Sequence, residues 1–454
     1  MTLPNITGPA HADPAAALDN VLLDVLHWAW SHSGAGAPAL QDRARELLLD
    51  TVGCALAGIN DPVVAAVFQQ ASAADPGALG FPGTDARLSA AAFASCLAAA
   101  ACWHEACEGL AVAHGRPGLH AIPVVLASAL AQPTALGAVL DAIVAGYEIG
   151  GRLGIVLRIR PGMHVDGTYG SFAAVASACR LAGDTPEAAL LALNHAACHM
   201  PFSLYRPITF GSTARNAFAG HGAAHGMASA WASRAGLGGP PGSIADMASI
   251  ALGRGGPDLL AFPGPGQWLL LDGYLKPFPA VRHVHYGATA AIDWHCAKGL
   301  PPDRITAVTL RVYQEALTYC GNRAPATAIQ AQFSLSFGIA AALATGRLDP
   351  QSYTSISLAD PAIRRIESLI VLRPDPALTK AGRRGCSLEV VADGETWTGV
   401  VDTVPGDRTM PLPRADVRAK FMAYASPVLG MPHAASLADQ LLLGGLDRPL
   451  TLNN

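Results

Sequence analysis

Charge is scarce in this chain of 454 residues, since Asp, Glu, Lys and Arg make up only 14% of it where about 25% is usual. With 51% apolar residues, that scarcity excludes a disordered chain and implies extensive burial. The formal net charge is −4 and no run of Lys or Arg occurs, so the electrostatic footprint of a nucleic-acid or anionic-membrane binder is missing. Small molecules are the expected partner class. The nine cysteines are never spaced C-x-x-C, which argues against a disulfide framework or zinc site and for reduced thiols in a cytoplasmic protein. Neither G-x-x-x-x-G-K-[ST] nor a G-x-G-x-x-G following a strand is present, so no phosphate or dinucleotide motif is read. The longest uncharged stretch, Arg116 to Asp141, is broken by Pro123 and Pro133, which predicts two buried helices rather than a membrane span. The opening residues lack a basic region followed by an apolar one, so no secretory signal is expected.

What the chain does have is helical spacing from about residue 18 to 265. Arg43 to Gly58 carries an apolar stripe through Leu47, Leu48, Thr51, Val52 and Ala55, and Ala138 to Leu153 places Glu148 and Arg152 four apart on one face. After residue 270 the pattern changes. Thr306, Val308, Leu310 and Val312 alternate as in a strand with one buried face, and Cys386 to Val401 reads as a hairpin turning at Asp393-Gly394. Between them the spacing predicts one helix over about 328–345 and another opened by Asp360 and Pro361. Residues 1–265 are therefore expected to form an all-α helical domain, 270–410 a smaller α+β domain, and 415–454 helices that return to the first. With no repeats and too many residues for one core, more than one domain is expected.

Histidine, glycine and basic residues cluster in four segments. In PGMHVDGTYGS, His164 lies between Gly162 and Gly167 just before a helix start, where backbone N–H groups can meet a carboxylate; a histidine in a capped loop is the plainer reading. In YLKPFPAVRHVH, Lys276 precedes Pro277 and is presented by a stiff loop, with Arg282, His283 and His285 behind it; an ordinary surface turn is the plainer reading there. GSTARNAFAGHGAAHG sets Arg215 on a glycine-broken helical segment with His221 and His225 four apart, but Gly222 stands where H-E-x-x-H needs a carboxylate, so a metal site is weakly supported.

Five strings, RARELLLDTVGCALAG, GYEIGGRLG, GMHVDGTYGSFAAVASACRLAG, YLKPFPAVRHVH and AIQAQFSLSFGIAAAL, resemble the MmgE/PrpD (2-methylcitrate dehydratase) family in order and spacing, over about residues 20 to 445. The resemblance implies a mainly α homodimer, with a large all-α domain, a smaller α+β domain and an active-site cleft between them. It also implies cofactor-free, metal-free proton transfer beside a carboxylate of a small di- or tricarboxylate. His164 matches the family's G-x-H histidine, Lys276 its K-P-[FY]-P lysine, and Tyr319 the tyrosine that decarboxylase-like members use; these three are the expected catalytic residues. Arg116 and Arg215 stand where a histidine and a lysine are usual, Cys107 where an aspartate is common, and Phe218 replaces a second histidine. Because arginine stays protonated, Arg116 and Arg215 are expected to bind carboxylates rather than move protons, with Glu105, His120, Thr168 and Arg282 beside them. A pocket is expected in which Lys276 and Arg215 supply positive charge, His164 and Tyr319 exchange protons, and Glu105 and Arg116 sit at the rim. The leading expectation is a dehydratase or decarboxylase; an epimerase of a similar acid and a non-catalytic scaffold are the alternatives.

Overall fold

The computed structural model describes residues 14–31, 37–255 and 257–452, and it is mainly α-helical with one small mixed sheet. Two separate hydrophobic cores form. The first takes in helical residues from Leu18 to Leu275 and again from Leu412 to Leu452; the second runs from Ala280 to Val404. The change of core falls between Leu275 and Ala280, about ten residues later than the spacing alone suggested, because Leu269, Leu270 and Leu275 still pack into the first. Residues 1–13 lie outside the described chain.

In the first core the expected helices are present with longer bounds, Pro38–Ile59 and Leu136–Val156. The uncharged stretch forms two buried helices, Pro117–Ala131 and the start of Leu136–Val156. Small residues bring helices close: a Cβ on Gly150 would lie 2.5 Å from Cβ of Ala173, so the helix Gly170–Ala182 packs backbone-near against Leu136–Val156. Among the described residues no single helix is long and apolar enough to cross a membrane; Pro38–Ile59 and Pro62–Ala74 reach that composition only as a pair bent by 95°.

In the second core four strands run in the order Ile370–Pro374, Ile305–Val312, Cys386–Ala392, Glu395–Val401, the first pair parallel and the others antiparallel. Asp393 (φ 52°) and Gly394 (φ 78°) make the tight hairpin turn, with Ala392 opposite Glu395, as two positive φ angles require. Asp360 caps Pro361–Leu369 by accepting from the Ala362 and Ile363 amides at 2.8 and 3.1 Å.

Two local expectations fail for identifiable reasons. Thr306 is exposed while Ile305, Val308, Leu310 and Val312 are buried, because a register shift between Ile305 and Ala307 turns the strand's first residues over. The segment 328–345 is two helices, Ala328–Gln332 and Leu335–Thr345. Ser334 divides them by capping the second, its hydroxyl accepting from the Phe337 amide at 3.1 Å; apolar spacing continues across the break and hides it.

Candidate active site

A cavity of about 340 Å³ lies where the two cores meet. Its walls come from loops together with the helices Arg282–Lys298 and Gln314–Cys320, which carry His283 and Tyr319. The loop after Ala90–Cys102 brings Glu105 and then Arg116. This loop is tied to the one bearing Lys276 by reciprocal backbone bonds between Gly109 and Tyr274, at 3.0 and 2.8 Å. Lys420, on the returning helix Arg414–Leu429, fastens both loops from behind. Its ammonium donates to the carbonyls of Ala106 and Lys276 at 2.7 and 2.8 Å and to Asp50 at 2.6 Å. His164 is on a two-residue strand paired with Ser203–Leu204.

Glu105 is the centre of the charged cluster. Its backbone is left-handed, φ 54°, which costs a non-glycine residue about 1–2 kcal/mol. Lys276 secures that conformation by donating to both the Glu105 carbonyl at 2.9 Å and its Oε1 at 2.6 Å. Oε2 accepts from Arg116 at 3.1 Å and from Arg215. Burial alone would raise the Glu105 pKa, but Arg116, Arg215 and Lys276 outweigh it and hold the carboxyl well below the usual range. Asp166 is likewise buried, and Arg116 and Arg215 keep it ionised. Burial depresses the Lys276 pKa, with Glu105 opposing.

The expected rim is thus the floor: Glu105 and Arg116 are buried at 4% and 5% exposure. Lys276 and Arg215 are not free cations either, since Glu105 pairs with both. Arg215 Nε has no hydrogen-bond partner among the described residues.

His164 is buried beside Asp166. Its Nδ1 accepts from the Asp166 backbone amide at 3.1 Å, so in the neutral ring the hydrogen sits on Nε2. Burial, with Arg215 and Arg116 adding to it against Asp166, lowers its pKa to about 4. The Phe218 ring 5.7 Å away adds to the apolar surroundings where the usual histidine is replaced. The side chain is therefore neutral near pH 7, with its hydrogen on Nε2.

Tyr319 also lines the cavity and is 45% exposed. Its ring stacks on His283 and meets Tyr205 edge-on, and its backbone carbonyl accepts from the Tyr205 hydroxyl at 3.0 Å. Arg282 lines the wall but is committed to Asp407 and lies 4.7 Å from the Tyr274 ring centroid.

His120 and Thr168, expected at the substrate, stand behind the wall. The Gly167 amide donates to His120 Nε2 at 3.0 Å, and its Nδ1 meets the Arg116 carbonyl at 3.0 Å; Thr168 donates to the Val165 carbonyl. Both shape the loops and neither forms part of the cavity lining. Cys107 is a buried thiol that donates to the Ala101 carbonyl at 2.9 Å, and its pKa is raised well above the ordinary value, so it is inert. His221 and His225 do not gather a third ligand, and among the described residues no group of three possible metal ligands forms. His225 instead meets the Ala196 carbonyl at 3.2 Å.

Several lining residues were not singled out from the sequence. Asp166 sits two residues from His164 in HVDG, a spacing that could have marked it. His283 was named with Lys276 but given no role, and its Nδ1 lies 2.6 Å from the Tyr313 hydroxyl. Arg158, Glu315 and Arg384 come from segments with no motif and reach the cavity only through folding.

Residues 28–249 match the MmgE/PrpD N-terminal domain and residues 278–441 the MmgE/PrpD C-terminal domain. The chain is also similar to the cis-aconitate decarboxylase of Mus musculus, with 28% identity over 307 residues. That match takes in 63% of this chain and spans 60% of the mouse protein's length. The two domain matches together cover most of the chain, one on each side of the loop that carries Lys276, and on that basis the chain belongs to the MmgE/PrpD family.

Proposed function

We propose that the protein is a lyase of the decarboxylase type acting on a small di- or tricarboxylate, without a metal or organic cofactor. The observation that carries this reading is the fixed tautomer of His164, whose Nδ1 is occupied by the Asp166 amide. With its hydrogen on Nε2, this lining residue is a neutral donor where a dehydratase or epimerase would need a base to take a proton from carbon. Loss of CO₂ needs no such base. The C–C bond breaks, its electron pair enters an enolate conjugated with the neighbouring carboxylate, and the carbon is then protonated.

In this reading Lys276 and Arg215 face the developing negative charge and His164 Nε2–H donates to the enolate oxygen, as a neutral imidazole does elsewhere. Tyr319 supplies the proton to carbon; at 45% exposure its phenolate can be reprotonated from water. The similarity to a cis-aconitate decarboxylase supports the same reaction type. A scaffold would have no use for three cations buried around one carboxylate. For assembly, exposed Leu204 and Phe210 beside the His164 strand support a homodimer, which sedimentation would test.

The test is incubation with cis-aconitate, citrate, 2-methylcitrate and iminodisuccinate in deuterated water, followed by NMR. CO₂ release with one deuteron at the carbon that lost it is expected. Hydration, or exchange without conversion, would overturn the decarboxylase reading.

A further inference from the structure

The cavity has two charged ends. At the inner end Lys276, Arg116 and Arg215 face Glu105 and Asp166, leaving one positive charge in excess. At the outer end Arg158 and Arg384 face Glu315, leaving one more. The inner groups are almost wholly buried, whereas Arg384 is 24% and Glu315 39% exposed.

The outer pairing is loose. Arg384 Nη2 stands 3.8 Å from Glu315 Oε2, too long for a good charge-assisted hydrogen bond. Arg158 donates through Nη2 to the Val112 carbonyl at 3.0 Å, while its buried Nη1 has no hydrogen-bond partner among the described residues. The two arginines come from segments of different cores. Arg158 follows the helix Leu136–Val156 of the first core, and Arg384 precedes the strand Cys386–Ala392 of the second. His114 lines the same end. Burial, and then Arg158 and Arg384, hold its pKa below the ordinary value, so it adds a neutral polar group rather than a third charge. His283 connects the ends: after burial, the charges that depress it come from Arg384 on one side and Lys276 on the other.

Resting on the reading of this cavity as a site for small carboxylic acids, we propose that Arg158 and Arg384 form a second carboxylate subsite. It takes the acid group farther from the reacting carbon and exchanges the loose Arg384–Glu315 contact for a bond to substrate. The subsite selects acids that carry a carboxylate at each end over monoacids, and it draws the two cores together across the ligand.

Calorimetric titration of the full chain with succinate, glutarate and adipate, each beside the monoacid that lacks its second carboxylate, tests the subsite directly. The parent should bind its best diacid at least about tenfold more tightly than the matching monoacid, the lower end for a hydrogen bond to a charged group. Arg158→Gln and Arg384→Gln should each close most of that gap and leave monoacid binding within about twofold. Glu315→Gln should tighten diacid binding several-fold, a gain that misfolding cannot produce. No gap in the parent, a gap that persists in both arginine variants, or no gain in Glu315→Gln would overturn the proposal. Diacid selectivity that responds in this way in a protein releasing no CO₂ from any acid would overturn the lyase reading alone.

Discussion

Glu105 and Glu148 are both buried glutamates paired with arginine, yet their surroundings drive them in opposite directions. Glu148 accepts from the Leu269 and Leu270 amides at 3.1 and 2.9 Å and pairs with Arg152, which donates onward to the Gln267 carbonyl at 2.6 Å. Burial is the largest influence there and raises the pKa of Glu148. Around Glu105 three cations overcome burial. The first arrangement pins a loop to a helix with backbone partners; the second carries excess positive charge and opens on a cavity. A buried ion pair is therefore no mark of function by itself. What marks the surroundings of Glu105 as the candidate site is charge left over and a space for it to act in.

The sharpest separation should come from Tyr319, which lines the cavity and takes no part in either buried pair. Tyr319→Phe should cut turnover by about 10²- to 10⁴-fold, the usual range for a lost acid-base group, with an unchanged thermal midpoint. Steady-state kinetics beside calorimetry would check it. A variant that folds normally and retains its turnover would remove Tyr319 from the chemistry.

Arg152→Ala is the mirror experiment. It strands Glu148 without its cation and removes the guanidinium lying 5.0 Å from the Trp28 ring. A loss of about 3–5 kcal/mol is expected, as when one partner of a buried pair is deleted, with diacid affinity unchanged in whatever fraction stays folded. Urea unfolding would measure the first and titration the second. A stable variant with altered binding would erase the contrast between the two glutamates.

Much of this contrast was illegible in the sequence. Glu148 and Arg152 were visible as an i, i+4 pair on a helix, but nothing local says that this face is inside, or that Leu269 and Leu270, over a hundred residues away, will close it. Lys276 was legible because K-P-F-P stiffens its own backbone, and His164 because glycines flank it. Arg384 and Arg158 carry no local signal, since they matter only through the meeting of two cores. His120 misled because a buried histidine that receives a backbone N–H looks, in sequence, the same as one that meets substrate. The helices, the hairpin and the Asp360 cap were readable because periodicity and capping are local. The Ser334 break was overlooked because periodicity dominated the capping signal.

Glu108 offers an intermediate case, buried beside the active cluster but outside the cavity wall. Burial raises its pKa to about 7, and its Oε1 accepts from the Leu119 amide at 3.2 Å. Because the folded value lies above the unfolded one, its contribution to stability is complete below about pH 4.5 and is lost as pH rises through 7. At pH 8 the ionised group should cost the fold on the order of a few kcal/mol. Glu108→Gln should therefore gain stability over the parent progressively from pH 5 to 8, as seen in thermal midpoints. A constant difference across that range would mean that Glu108 is ionised throughout, in the manner of Glu105.

The smallest expected effect is at His164, where the open cluster should show no titration at all near neutrality. A free imidazole changes charge near pH 6.5, but burial lowers this one to about 4. Its folded value lies below its unfolded value, so its contribution to stability is present above about pH 6.5 and is lost as pH falls toward 4. Two observations support a ring kept neutral: the Asp166 amide occupies Nδ1, and Phe218 stands against the ring. Nitrogen NMR should find Nδ1 bare and Nε2 protonated from pH 8 down to about 5. The pH profile of turnover should change less than about twofold over the same range through this residue. An inflection near pH 6.5 that vanishes in His164→Gln would instead make the imidazole a titrating acid-base group. The reading of the cluster as fixed charges around a neutral donor would then give way to one in which a base is present and proton abstraction from carbon is open again.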